Sequence, residues 1–93
     1  MKELHQALED VKDEISFLVF VNALIADRKP HEGKAIDEVG FVADWANNDI
    51  SSFLESAVAW AEDSSFGQKQ RPELAKNMWK LFATFLYCGK IYE

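Results

Sequence analysis

Only a few residues in this 93-residue chain have the types and spacing that a reactive site requires. His5 and His31 fall in different expected elements, and neither belongs to a metal-ligand motif. Zinc needs three or four converging ligands at set intervals. His31-Glu32 beside Asp27 comes nearest to that, and a solvated loop explains the trio more simply. Cys88 is the single thiol. Its neighbours Tyr87 and Gly89 supply no base, and its place on the apolar side of the last helix predicts a buried, inert cysteine. Paired carboxylates occur at Glu9-Asp10, Asp13-Glu14, Asp37-Glu38 and Glu62-Asp63. Acid–base catalysis needs surroundings that move a carboxyl pKa, whereas these pairs sit at helix ends or on polar faces, where hydration keeps them ordinary. No phosphate loop, nucleophile elbow or dinucleotide fingerprint is present. The reading is a non-enzyme with no catalytic residue, no metal and no cofactor. An enzyme using Asp27, Asp63 or Glu93 in a cleft is the competing case.

The aromatic residues bear on recognition rather than catalysis. Phe17, Phe20, Phe53, Phe82 and Phe85 are core by position. Trp45, Trp60, Trp79 and Tyr87 fall at face edges or in ambiguous sequence. Tryptophan is enriched at interface hot spots, yet it is also a large core filler, and core or core edge is the expectation for all three. Asn22, alone in an apolar run, is expected to be a buried amide bonded to the backbone.

These residues must be positioned by helices. In Ile15–Ala26 ten of twelve residues are apolar, and a helix apolar on nearly every side is expected to be buried on nearly every side. At that length it cannot cross a bilayer, which takes roughly 20 residues. A first short helix over residues 2–10 shows Leu4, Ala7, Leu8 and then Val11 on one side. A break is expected near Lys12, with Asp13 capping the next helix and Glu14 in its first turn. Pro30 and Gly33 end that helix. Residues 35–48 are ambiguous: a short helix, a strand over Val39–Ala43, or an irregular wrap under Trp45. Asp49 is the preferred cap of a clear amphipathic helix bearing Ile50, Phe53, Leu54, Ala57, Val58, Trp60 and Ala61. After a polar loop around Gly67, Pro72 suits the first turn of a last helix, with Leu74, Met78, Leu81, Phe82, Phe85 and Leu86 on its apolar face and Gly89 as its stop. The expected fold is all-α: one domain, residues 1–93, a bundle of about four helices around a central apolar helix at about 13–28.

Charge narrows the partners. The net charge of −6 lies wholly in residues 1–50, and residues 51–93 balance to zero. An acidic surface repels phosphate backbones, so nucleic-acid binding is not expected, and no membrane segment is. One cysteine cannot form an internal disulfide, and the first residues lack a signal-peptide pattern, so a cytoplasmic setting is expected.

The order Phe17-Leu18-x-Phe20-Val21-x-x-Leu24-x-x-Asp27, Trp45-x-Asn47, Ile50-x-x-Phe53-Leu54, Ala59-Trp60-x-x-Asp63, Trp79-x-x-Phe82-Ala83 and Ile91-Tyr92-Glu93 resembles a family of small bacterial domains of unknown function, with residues 29–43 as a variable gap. The resemblance implies bacterial origin, a cytoplasmic location and a single compact domain, and it carries no assigned activity. The polar positions matched by Asp27, Asn47, Asp63 and Glu93 are either caps or a binding site on this reading.

The function expected is a non-catalytic protein-binding module for a partner with a basic surface, in its sharpest form an immunity-type inhibitor of a basic bacterial toxin. Acids around an aromatic anchor could hold a cationic surface, and Asp37, Glu38, Asp44, Trp45, Asn47 and Asp49 are the residues expected to form that patch. The alternative is a small regulatory or ligand-binding domain, possible as a homodimer sealed by Trp79 and Tyr87.

Overall fold

The computed structural model describes residues 3–33 and 44–92, and all structural statements concern these. Four α-helices follow in order: α1 (Leu4–Glu9), α2 (Glu14–Arg28), α3 (Ile50–Ser64) and α4 (Met78–Ile91). Short 3-10 turns cover Lys29–His31 and Pro72–Lys76, and no strand occurs among the described residues. The described residues are thus all-α, with four helices, as the periodicity predicts. Most of the ambiguous stretch 35–48, including the possible strand over Val39–Ala43, lies outside the described residues.

Local chemistry sets the helix boundaries. The Asp13 carboxylate accepts the Ser16 N–H at 2.8 Å, and the Ser16 hydroxyl accepts the Asp13 N–H at 3.0 Å. This reciprocal box satisfies donors that the first turn of α2 would otherwise leave open, and it makes the break expected near Lys12. Asp49 caps α3 by accepting the Ser52 N–H at 2.7 Å. Ser65 and Phe66 then turn left-handed, at φ 52° and 57°, followed by Gly67 at 76°, and α3 ends there.

Two boundaries differ from the sequence reading. Pro72 opens a 3-10 turn rather than α4, which begins at Met78 with Asn77 as its cap. The Asn77 carboxamide accepts the Lys80 N–H at 3.1 Å and donates to the Val11 carbonyl at 3.2 Å, so a tertiary contact helps place the start. Gly89 is not a stop but lies inside α4, which runs to Ile91. A Cβ there would come within 2.9 Å of the Phe53 carbonyl oxygen. The glycine is thus required by the close approach of α3 to α4.

The packing also moves the centre of the bundle. Helix α4 packs closely on α1, α2, α3 and the Pro72–Lys76 turn, whereas the backbones of α2 and α3 do not approach closely. Rings and ion pairs give the directions: Phe17 meets Trp79 at 5.4 Å and Asp27 meets Lys90, so α2 runs parallel to α4. Phe53 meets Gly89 while Phe66 stacks on Phe85, so α3 runs antiparallel to it. The main core joins Leu4, Ala7, Leu8 and Val11 to Phe20 and Leu24 of α2, Trp45, and Ala83 of α4. Each large side chain buried there contributes about 1.5–3 kcal/mol.

The segment at about 13–28 is therefore not the central helix. It buries Phe20 and Leu24 but leaves Ile15, Leu18 and Ile25 exposed on its opposite face. Asn22 lies exposed on that outer face instead of buried. The physical reason is shape. The Cα envelope measures 39 × 31 × 17 Å, and helices are about 10–12 Å across with side chains. A slab this thin cannot enclose a helix on all sides. Phe82, expected in the core, is likewise exposed.

Candidate functional site

The chain that enters α3, residues 44–49, is stitched to the C-terminal ends of α2 and α4. The final carbonyls of a helix lack intrahelical partners, and here the loop supplies them. Ala46 donates its N–H to the Lys90 carbonyl at 3.0 Å. The Asn47 amide donates to the carbonyls of Gly89 and Tyr92, both at 2.9 Å. Residues 46 and 47 thus act as a cap delivered from elsewhere in the chain.

Trp45 sits at the centre of this junction and is only 4% exposed. Its indole N–H donates to Asp27 Oδ2 at 2.9 Å, and its ring stacks near Phe53 at 6.1 Å. The Arg28 guanidinium lies 5.1 Å from the ring centroid and Lys90 Nζ 5.5 Å from it, distances at which cations are attracted to the indole face. Lys90 is buried, and its ammonium lies 2.8 Å from Asp27 Oδ2 and 3.0 Å from Asp44 Oδ2. Arg28 donates to the Asn48 side chain at 2.7 Å and to its carbonyl at 3.0 Å.

The electrostatics follow from these contacts. Burial pushes the Lys90 pKa down, but hydrogen bonds to Asp27 and Asp44 outweigh it and leave the group above the ordinary lysine value. Partial burial raises the Asp44 carboxyl, and the Lys90 ammonium more than offsets this, holding it below the usual range. Both charges are stabilised in their ionised forms, which makes neither a proton donor nor an acceptor near neutral pH. Burial pushes the Cys88 thiol up to about 12, far from a reactive thiolate. Among the described residues no three of His, Cys, Asp and Glu converge as metal ligands. Asp27 engages Lys90 and Trp45, while Asp63 accepts the Tyr92 hydroxyl.

Beside the junction, α2 and α3 diverge and leave an open groove of about 620 Å³. Its apolar walls are Leu24 and Ile25 on one side and Ile50, Phe53 and Leu54 on the other, with Trp45 between. Arg28, Lys29, Glu32, Asn47, Asn48 and Asp49 form its polar parts. The volume falls within the range of about 300–1,000 Å³ typical of binding clefts.

Of the six residues expected to form a docking patch, Trp45, Asn47 and Asp49 line this one groove. Asp44 stands beside it, exposed but turned to Lys90. Asp37 and Glu38 lie outside the described residues, as does Glu93. Asp27, Asn47 and Asp63 each have an internal hydrogen bond. The roles of Lys90, Arg28 and Asn48 at this junction come from the fold, and the sequence signal for Lys90 is a lysine within the largely apolar segment from Phe82 to Ile91.

A family model described as a family of unknown function (DUF7660) matches residues 12–93. The chain belongs to that family. The matched region takes in α2, α3, α4 and the junction around Trp45, and leaves α1 before it. Neither a curated protein nor a solved structure matches the chain.

Proposed function

We propose that this domain is a non-catalytic protein-binding module that seats an apolar ridge of a basic partner in the groove between α2 and α3. The observation that carries this reading is the groove itself. Its walls are exposed Ile25, Ile50 and Leu54, and apolar surface gathered in a cleft and rimmed by polar groups marks an interaction site. The net charge of −6 would steer a basic partner toward the domain. An immunity-type inhibitor of a basic bacterial toxin is the specific form that this charge favours. Affinity capture from the source organism, with wild type and Leu54→Glu side by side, tests it. The expected result is a basic protein retained by wild type, released by raised salt and lost with the variant. Identical captures by both proteins would overturn the reading.

A further inference from the structure

We infer that the outer face of α2 pairs with the same face of a second copy of this chain, antiparallel, about a twofold axis near Asn22. Ile15, Leu18, Asn22 and Ile25 recur at intervals of three and four residues, and Lys29 continues the series. That is the repeat with which one helix presents a seam to another. Ile15 is 72%, Leu18 59% and Ile25 53% exposed, on the side of α2 away from buried Phe20 and Leu24. The seam runs the length of a helix about 22 Å long.

The charges select the occupant. The chain as a whole is acidic, so most contacts between two copies are repulsive, but α2 bears no charge from Ile15 to Ala26. On the seam face the flanking charges are opposite in sign, with exposed Glu14 at the start of α2 and exposed Lys29 just past its last residue, while Asp27 is turned away to Lys90 and Trp45. Antiparallel pairing sets Glu14 of each copy opposite Lys29 of the other, and each helix N-terminus beside a C-terminus. Parallel pairing would set like against like. The two Asn22 amides meet near the axis, where each can donate to the other. A basic foreign protein finds no acid along the seam, whereas the seam complements itself. A single helix face is small beside the ~800 Å² per partner of a standard interface, so the dimer is expected to be weak and to form at high concentration.

Sedimentation equilibrium of the full chain, with circular dichroism to check folding, tests the inference. Wild type is expected to dimerise. Leu18→Glu, which lies outside the groove, is expected to weaken the dimer about thirtyfold or more, the scale of a hot-spot loss. Glu14→Lys and Lys29→Glu are each expected to weaken it several-fold, and the double exchange to restore it. A wild-type protein monomeric at millimolar concentration, a dimer indifferent to Leu18→Glu, or a double exchange that restores nothing would overturn the inference. Ile25 and Lys29 border both the seam and the groove, whereas Leu18 and Glu14 lie on the seam alone and Leu54 on the groove alone, so loss of the dimer with Leu18→Glu and loss of capture with Leu54→Glu are separate results.

Discussion

Lys90 shows how a single polar side chain can be committed to structure. It stands between Asp27 and Asp44 at 2.8 and 3.0 Å and beside the Trp45 ring. Lys90→Met would leave two carboxylates adjacent without their cation. The expected loss is about 2–3 kcal/mol in urea unfolding, reduced from that of a fully buried pair because both acids are partly hydrated. Asp27→Asn keeps an acceptor for the indole N–H and is expected to lose only about 1 kcal/mol. The pH dependence has a definite sign. The folded-state pKa of Lys90 is raised, so its contribution is fully present below the unfolded value of 10.5 and is lost as pH rises through the folded one. That of Asp44 is lowered, so its contribution is present above 3.8 and is lost as pH falls. The stability gap between wild type and Lys90→Met should therefore be widest near neutral pH and narrow toward both extremes. A gap independent of pH would show that the ion pairs contribute nothing. Trp45 belongs to the same network, so truncating it tests folding rather than binding.

Helices in this chain are placed by their ends and by one close approach. Asp13→Ala removes the carboxylate half of the box that starts α2 and is expected to cost about 1 kcal/mol. Asp13→Asn, which keeps an acceptor, should recover most of it. Gly89→Ala tests the contact of α3 with α4. Helix propensity alone would favour alanine by about 1 kcal/mol. The new Cβ would stand 2.9 Å from a backbone oxygen and 3.0 Å from the Phe53 ring, and the overlap is expected to cost about 2–3 kcal/mol. The net prediction is a destabilised protein with a lower thermal midpoint. A more stable Gly89→Ala would mean that α3 and α4 can part without loss.

The thinness of the fold accounts for its exposed apolar surface. A body 17 Å deep has few positions that neighbours can cover from every side, so apolar residues on the outer faces of α2 and α3 meet solvent. Leu54 illustrates the consequence. It is exposed on the groove wall, so Leu54→Glu is expected to change stability by no more than about 0.5 kcal/mol while abolishing partner capture. Equal losses of stability and capture would assign Leu54 to the core instead. Small domains cover only part of their apolar surface on folding, and a binding partner can cover more.

Much of this architecture was legible in the residues alone. The helical class, the breaks before Asp13 and Asp49 and the buried cysteine follow from local rules: spacing, capping chemistry and the absence of a base near a thiol. The inside and outside of α2 were not legible. Its apolar residues point all round, so periodicity offers no direction, and only the positions of α1 and α4 choose which face is covered. The same holds for Gly89, whose role comes from Phe53, and for Lys90, whose partners Asp27 and Asp44 lie far away in sequence. Local propensity acts between neighbours along the chain, whereas burial and ion pairing act between segments that meet only when the chain has folded.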